Sequence, residues 1–419
     1  MTIVHRLVVA LRALVWFAAA NALSCAGTGV SCAGAARAEQ TAPASDNQTA
    51  KLNIKIGVIT REKPAPGLYD LDATPADEGF QGARLALIDT NTTGAFLDQH
   101  FDLVETALAK DQSPVEAAQA LIGQGVRLLI VDLPAPDLLA VADAVKASGA
   151  LVFNASAQDD SLRGKDCRAN LFHLAPSRAM LTDALVQFLA VKRWTKLALV
   201  VGPTDGDLLY AEALRGSAKK FGLKIVVDKP WTFGPLAKAR GDNVTEAEAL
   251  IFSQGLAYDI MVVADEDGDF GDYIPYHTWD AKLLAGTQGL IAASWHKTEI
   301  AWGGEQLQDR FLHQANRTMR PVDYQAWTAV RAIGEAVVNV NSGDPRVIGE
   351  ALLNNDFGVA AFKGVAVSFR PWDRQLRQPL LLAQPRAVVA IAPQPGFMHQ
   401  RTVLDTLGVD APETACKLQ

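Results

Sequence analysis

The segment VRLLIVDL (126–133) decides the fold of this chain, because it is almost entirely apolar. A strand of this kind is expected where helices cover both faces of a parallel sheet. Residues 115–123 before it and residues 136–148 after it have the apolar spacing of helices. Strands separated by helices of about 10–15 residues indicate β-α-β crossovers. The sequence therefore predicts an α/β fold with a parallel sheet.

The same alternation extends in both directions and then starts again. LNIKIGVIT (52–60) opens the first unit, and LFHLAPS (171–177) precedes the long helix that opens the second. Each unit is predicted to be a doubly wound parallel sheet. The two units form two lobes joined by a three-stranded hinge, with crossings near 173–177, 293–298 and 343–347.

The predicted domain division follows from this restart and from two helical segments within 304–338. Lobe 1 comprises residues 52–172 plus 297–345. Lobe 2 comprises residues 173–296 plus 346–419, which include a C-terminal extension.

Composition excludes several classes of protein. Of 419 residues, 49% are hydrophobic and 20% are charged, which excludes a disordered chain. The formal net charge of −7 argues against a general nucleic-acid binder, which needs a basic face. The sequence contains no G-x-S-x-G elbow, P-loop, HExxH or strand-linked G-x-G-x-x-G motif. We therefore expect a protein that is not an enzyme and that has no cofactor or resident metal.

The N-terminus has the pattern of a secretory signal. His5, Arg6 and Arg12 precede or flank a short apolar run at 13–23, and Ala36-Arg37-Ala38 has the small-x-small spacing of a cleavage site. A membrane anchor is the alternative, but it needs an apolar run of about 20 residues. A lipoprotein site at Cys25 or Cys32 is weaker still. Such sites favour Leu three residues before the cysteine, where this sequence has Ala22 and Gly29. The prediction is a signal peptide at 1–38, cleaved between Ala38 and Glu39, and a polar linker at 39–51.

Two cysteines, Cys167 and Cys416, remain after that cleavage. Thiols often pair in the oxidising compartments outside the cytosol, so a structural disulfide is the favoured prediction. A reactive or metal-binding pair is the alternative, but no CxxC or Cys/His spacing supports it.

Several strings resemble type I periplasmic binding proteins of the branched-chain amino acid class. They are IKIGVIT with EGFQGARLALIDTN (54–60 and 78–91), KDQSPVEAAQALIGQGVRLLIV (110–131), FHLAPSRAMLTDAL (172–185) and DYQAWTAVRAIGEAV (323–337). The resemblance covers roughly 52–375. It implies a monomeric periplasmic protein that binds a small-molecule ligand between its lobes for an ABC transporter, with no nucleic acid and no stable membrane insertion.

A narrower resemblance rests on four other strings. They are DFGDYIPYHTWD (269–280), AGTQGL (285–290), FRPWDRQLRQPLLL (369–382) and HQRTVLDTLGVDAPETAC (399–416). They are similar to a subgroup encoded with pyrroloquinoline-quinone-dependent alcohol dehydrogenase systems. This resemblance implies an ABC permease or a periplasmic quinoprotein dehydrogenase as partner. The alternative function is a periplasmic sensor or accessory protein of such a system, without a transport role.

The family's pocket lies on loops after the strands, and the matching loops here differ from those of amino acid binders. The loop at 133–135 carries no hydroxyl, and the acidic loop at 265–272 is either solvated or a cation site. We expect a ligand other than leucine, isoleucine or valine, namely a cationic, polyhydroxylated or metal-associated one. The candidate cleft residues are Ala135, Ser156, Gln158, Asp205, Asp207, Asp265 and Glu266, with an aromatic wall from Tyr273 or Trp295.

The exported chain should begin at Glu39. Intact-mass analysis of protein recovered from the periplasm is expected to show the loss of residues 1–38. A retained N-terminus, or a lipid on Cys25 or Cys32, would contradict this prediction.

Overall fold

Five parallel strands form the first sheet of the computed structural model, which describes residues 51–63, 73–233 and 244–418. The strand order is β2-β1-β3-β4-β5, so the order reverses between β1 and β3. The five strands are β1 (Leu52–Arg61), β2 (Gln99–Leu108), β3 (Leu128–Asp132), β4 (Leu151–Asn154) and β5 (Leu171–His173).

Apolar side chains alternate between the two faces of this sheet. Ile56 and Val58 of β1 lie in one core cluster, and Ile59 lies in the cluster on the opposite face. The expected helical cover on both faces is therefore present. The helices packed with this sheet are α1 (Phe80–Gly94), α2 (Pro114–Gly123), α3 (Ala135–Val145), α7 (Gly304–Ala315), α8 (Pro321–Val340) and α9 (Pro345–Leu352).

The second sheet repeats the topology of the first and adds two antiparallel strands. Its order is β15-β14-β10-β9-β8-β6-β7, and the strands from β6 to β10 are parallel. The strands are β6 (Lys196–Val201), β7 (Lys224–Pro230), β8 (Ile260–Ala264), β9 (Leu283–Gly286), β10 (Leu290–Ala293), β14 (Leu380–Gln384) and β15 (Ala387–Ala392). The predicted second parallel sheet is thus a mixed sheet.

Three helices belong to the second sheet: α4 (Arg178–Val191), α5 (Asp205–Lys220) and α6 (Val244–Ser253). The helix α5 begins at Asp205 because Thr204 caps it. The α/β fold with two sheet-based lobes is confirmed.

A small antiparallel sheet lies beside lobe 1. It consists of β11 (Val359–Ala360), β12 (Ala366–Phe369) and β13 (Leu376–Arg377). Phe369 and Leu376 lie in the same core cluster as Ile348 and Leu352 of α9 and Phe153 of β4. Residues 346–376 therefore belong to lobe 1 and not to lobe 2 as predicted.

In the described residues up to β14, the chain passes between the lobes three times. The first passage follows β5 and the second follows β10, both within the predicted segments. The third passage joins β13 to β14, at 377–380 and not at 343–347. The physical reason is that α9 buries its apolar stripe against lobe 1, so the chain stays in that lobe for another 30 residues or so.

A disulfide joins Cys167 to Cys416, which confirms the predicted pair. The two Cα atoms are 5.7 Å apart, although the residues are separated by 249 positions in the sequence. The predicted signal peptide, its cleavage site at Ala38 and Glu39, and residues 39–50 of the linker lie outside the described residues. None of the described helices is both long enough and apolar enough to cross a membrane.

A glycine sets the approach of two lobe 1 helices. A Cβ atom on Gly82 of α1 would overlap the backbone carbonyl of Asp323 at the start of α8. The side chain of Asp323 in turn accepts a hydrogen bond from the backbone N–H of Gly79, at 2.8 Å. The two helices are therefore fixed by a contact that tolerates no side chain.

Replacing Gly82 with Ala should destabilise the protein by about 1–3 kcal/mol, since the new methyl group must displace backbone. The measurement is the free energy of unfolding in urea. The matched control is Gly216→Ala in α5, where a Cβ meets nothing within 4 Å and where Ala should stabilise the helix by roughly 0.5–1 kcal/mol. Equal effects of the two substitutions would contradict this packing argument.

Candidate functional site

A cavity of about 910 Å³ lies between the carboxyl ends of the strands of the two sheets. In open parallel sheets, ligands bind beyond these ends, where the strand order reverses. Lobe 1 contributes the residues after β1, β3 and β4, and lobe 2 contributes those after β6, β8 and β9. Most of the described lining residues lie within 61–63, 132–136, 156–159, 205–210, 265–267 and 286–294. The others are Pro176, Arg178, Leu181, Pro321 and Gln325.

The structure brings six of the nine predicted cleft residues to this cavity. They are Ala135, Ser156, Gln158, Asp205, Asp265 and Glu266. Their contact with a ligand stays a prediction. Asp207, Tyr273 and Trp295 do not line the cavity, and each has a structural position that explains why.

Asp207 is buried in a capping box rather than directed at a ligand. Its Oδ2 accepts a hydrogen bond from the backbone N–H of Thr204 at 3.0 Å, and its own N–H donates to Thr204 Oγ1 at 3.3 Å. Its Oδ1 accepts from the backbone N–H of Glu266 at 2.6 Å. Asp207 thus connects the start of α5 to the loop after β8, and it positions Glu266 at the cavity.

The predicted aromatic wall is wrong. Trp295 is fully buried in the core of lobe 1 and stacks on Tyr324 with 4.5 Å between ring centroids. Tyr273 ends a 3-10 turn (Gly271–Tyr273) outside the cavity and is 39% exposed. Among the described residues that line the cavity, Tyr210 alone is aromatic. Trp295 is therefore a core residue of lobe 1, and Tyr273 is a partly exposed residue outside the cavity.

The fixed shape of the lobe 1 loop depends on Asn154, which sequence analysis missed. Asn154 ends β4 and is fully buried. Its Oδ1 accepts from the N–H groups of Ser156 and Ala157 at 3.2 and 2.9 Å, and its Nδ2 donates to the Ala157 carbonyl at 2.7 Å. These bonds hold the loop that presents Ser156 and Gln158. The sequence feature that could have revealed this role is a single Asn at the end of an apolar strand.

The ion pairs of two cationic residues at the cavity, Arg178 and Lys63, were also missed. Arg178, the first residue of α4, donates from Nε and Nη2 to the carboxylate of Glu266, at 2.8 and 2.7 Å. Its Nη1 lies 3.4 Å from Asp159 Oδ1 of lobe 1, an ion-pair distance but not a hydrogen bond. Lys63 donates to Asp132 at 2.7 Å. Arg178 therefore links acidic residues of both lobes at the base of the cleft.

The cavity is acidic despite these pairs. Among the residues that the structure describes, seven carboxylate residues line it, against three cationic ones. The acidic residues are Glu62, Asp132, Asp159, Asp205, Asp265, Glu266 and Asp267, and the basic residues are Arg61, Lys63 and Arg178. A low-dielectric cleft lined with one sign of charge concentrates ions of the opposite sign.

Asp265 organises the acidic loop. Its Oδ1 accepts from the N–H of Asp269 at 2.9 Å, and its Oδ2 accepts from Phe270 and Gly271 at 2.9 and 2.6 Å. Burial raises the pKa of the nearby Asp272 carboxyl, and the charge of Asp265 raises it further. Hydrogen bonds from the backbone N–H groups of the loop to the Asp265 carboxylate thus hold the loop in place. In the part of the chain that the structure describes, no group of three or more His, Cys, Asp or Glu residues has the arrangement of a metal site.

A lysine lies behind the cavity wall. Lys363 is buried, and its Nζ donates to the carbonyl of Ser294, a cavity residue in the second passage between the lobes. Its ammonium lies 5.6 Å from the centroid of Trp295 and 5.0 Å from that of Tyr324. Burial lowers the pKa of Lys363 to about 7, although the charge of Glu299 opposes the shift.

Residues 53–236 match the family model described as periplasmic binding protein. The match covers less than half of the chain. No curated protein is significantly similar in sequence.

Solved structures share the fold at low identity. A branched-chain amino acid ABC transporter periplasmic ligand-binding protein from Burkholderia xenovorans is 16% identical, with a TM-score of 0.66, over 81% of this chain and 95% of that one. A substrate-binding protein from Streptococcus pneumoniae, solved with isoleucine, is 17% identical, with a TM-score of 0.59, over 81% and 98%.

A solute-binding protein from Rhodopseudomonas palustris, solved with 3,4-dihydroxybenzoic acid, is 12% identical, with a TM-score of 0.59, over 79% and 93%. The fold of this chain is that of type I periplasmic binding proteins. The family and these structures are described as binding proteins, not as enzymes.

Asp265→Asn should loosen the acidic loop, because an amide NH₂ replaces one of the two oxygens that accept backbone N–H groups. We expect a loss of about 1–3 kcal/mol in stability. Amide exchange of residues 269–271 should accelerate in a mass-spectrometric hydrogen-exchange measurement. Asp269→Asn is the control, since it removes a charge from the same loop without removing these acceptors. Unchanged exchange in Asp265→Asn would show that the carboxylate does not hold the loop.

Proposed function

We propose that this chain is an exported solute-binding protein that delivers a small ligand to an ABC transporter from the periplasm. The observation that carries the proposal is the 910 Å³ cavity at the carboxyl ends of both sheets. The first and second passages between the lobes line it at Pro176 and Ser294, and the third contacts the first through the hydrogen bond from Gln378 to the Leu174 carbonyl. Several passages side by side are the arrangement of a hinge that closes on a ligand. A transport role is supported by the proteins from Burkholderia xenovorans and Streptococcus pneumoniae, which are both named as binding proteins of branched-chain amino acid transporters.

The ligand we propose is a small cation that carries hydrogen-bonding groups. Lys63 and Arg178 are paired with Asp132 and Glu266, so the cationic side chains of the cavity are largely neutralised. Glu62 of lobe 1 and Asp205 of lobe 2 are exposed at the cavity, from opposite sides. A bound ammonium between them would gain charge-assisted hydrogen bonds. Ser156 and Gln158 supply neutral polar groups.

Branched-chain amino acids fit this cavity poorly. The segment 133–135 (Leu-Pro-Ala) offers no side-chain hydroxyl to a ligand carboxylate, and a buried charge without partners is costly. The excess of carboxylates also disfavours an anionic ligand such as an aryl acid, the class solved with the Rhodopseudomonas palustris protein. The proposed ligand therefore differs from isoleucine in the Streptococcus pneumoniae structure and from 3,4-dihydroxybenzoic acid in the Rhodopseudomonas palustris structure.

We further propose a link to pyrroloquinoline-quinone-dependent alcohol oxidation. Its support is the sequence resemblance at 269–280, 285–290, 369–382 and 399–416. The transporter's permease is the partner in this proposal, and the chain acts as a monomer.

An accessory role with a quinoprotein alcohol dehydrogenase is the second candidate function. The observation in its favour is the segment 269–280, where Tyr276 is 99% and Trp279 is 52% exposed. Large exposed aromatic residues are typical of protein interfaces. Binding of a purified quinoprotein dehydrogenase to the wild-type chain, and its loss in Tyr276→Ala/Trp279→Ala, would favour this candidate.

The transport proposal predicts which ligands stabilise the mature chain. Arginine, choline and spermidine are the cationic probes, and leucine, isoleucine and valine are the zwitterionic ones. At about 100 times its dissociation constant, a ligand stabilises the native state by about 2.7 kcal/mol, which a thermal-shift assay detects. We expect a shift with at least one cationic probe and none with the branched-chain amino acids.

Calorimetry then tests the role of the two exposed carboxylates. Glu62→Gln/Asp205→Asn should weaken binding up to about fivefold per charge, the range of an exposed ion pair. Asp269→Asn, outside the cavity, should leave affinity unchanged. Micromolar binding of leucine, isoleucine or valine would overturn the proposed ligand class.

A further inference from the structure

The C-terminal segment 402–416, here called the strap, runs from lobe 2 to lobe 1. It follows β15 of the second sheet, and it ends at Cys416, which is bonded to Cys167 between β4 and β5 of the first sheet. The strap therefore adds a fourth connection between the lobes to the three passages of the hinge.

Lobe 2 holds the first half of the strap. Leu407 is buried in the core cluster of α4 and α5. The backbone N–H of Gly408 donates to Asp183 Oδ2 of α4 at 2.8 Å. Lys220 of α5 donates to the carbonyls of Thr406 and Gly408 at 3.1 and 2.9 Å. These contacts anchor the strap to two helices of one lobe.

Lobe 1 holds the same stretch from the other side. Asp405 is fully buried, and its Oδ1 accepts from Arg370 Nε at 2.9 Å and from Arg377 Nε at 2.8 Å. Arg370 also donates to the Leu407 carbonyl at 2.6 Å. Arg370 directly follows β12 and Arg377 ends β13, next to Phe369 and Leu376 of the lobe 1 core. The strap is thus packed between the lobes.

The end of the strap closes this connection covalently. Thr414 Oγ1 donates to the Arg163 carbonyl of lobe 1 at 3.3 Å, two residues before the disulfide. From Gly408 to Cys416 the chain has eight steps, which reach roughly 28 Å at full extension. While the disulfide is intact, no rotation of the lobes can separate Gly408 from Cys416 by more than this length.

We propose that the strap limits how far the two lobes open. Its consequence for ligand exchange rests on the proposed binding function, since a cleft that opens less releases its ligand through a narrower path. The limit on opening itself rests on the contacts of the strap alone. A hinge made only of three passages leaves the opening angle to soft backbone rotations, whereas a disulfide-closed fourth connection sets an upper bound.

Pulsed electron paramagnetic resonance tests the proposal without a ligand. Nitroxide labels are placed on exposed positions of the two lobes, at Gln119→Cys of α2 and Glu212→Cys of α5, in the mature chain with its disulfide intact. Removing the disulfide with Cys167→Ser/Cys416→Ser should raise the mean interlobe distance and widen its distribution by about twofold. The matched control pair, Glu212→Cys with Gln254→Cys, lies within lobe 2 and should not change.

A second variant keeps the disulfide and lengthens the strap. Four Gly/Ser residues inserted between Ala411 and Pro412 should widen the same distribution to an intermediate extent, even if the serine variant does not fold. An interlobe distribution identical to wild type in the lengthened variant would overturn the proposal. If ligand binding were intact in that case, the binding function would be retained and only the proposal about the strap would fail. If instead the distribution widened but none of the cationic probes bound to the protein, the proposal about the strap would be retained and the proposed ligand class would be refuted.

Discussion

Parallel strand pairing is the constraint on which the rest of this structure depends. Parallel strands are usually joined not by a tight turn but by a longer crossover, in most cases a helix, that returns the chain to the same edge. All strand carboxyl ends of one sheet therefore lie together, and the loops that follow them converge. The helices α1, α2, α3, α5 and α6 make these crossovers from β1 to β4 and from β6 to β8, whereas only residues 287–289 join β9 to β10. The cavity forms where the loops after the strands of the two sheets meet.

The passages between the lobes are held by buried side-chain amides rather than by apolar contacts alone. Gln375 donates from Nε2 to the carbonyls of His173 and Ala175, and its Oε1 accepts from Arg163 Nε at 2.8 Å. Gln378 donates to the Leu174 carbonyl at 2.8 Å. The first and third passages thus satisfy each other's backbone groups, which a buried irregular segment requires. This explains why polar residues of the 369–382 string are buried.

Most carboxylates of the cleft have a structural task in addition to their charge. Asp132 pairs with Lys63, Asp265 closes the acidic loop, and Asp159 and Glu266 lie at ion-pair distance from Arg178. Such residues define the shape of the site and its electrostatic potential together, so the acidity of the cleft is built into the loops themselves. A ligand meets this potential before it meets any single carboxylate.

The sequence by itself determined the α/β class, the repetition of the unit, the disulfide partners and six residues of the cavity lining. These follow from local signals: the apolar period of each strand, the restart at 171, the count of cysteines, and the rule that ligand loops follow strand ends. Only the tertiary structure decided the third passage, the positions of Trp295 and Asp207, and the pairing of Arg178 with Glu266 and Asp159. The reason is that a side chain's partner is fixed by contacts between segments far apart in the chain. Several sites in a fold of this kind would suit the apolar stripe of α9, the ring of Trp295 or the charge of Arg178. The packing of the folded chain selects one site for each of them.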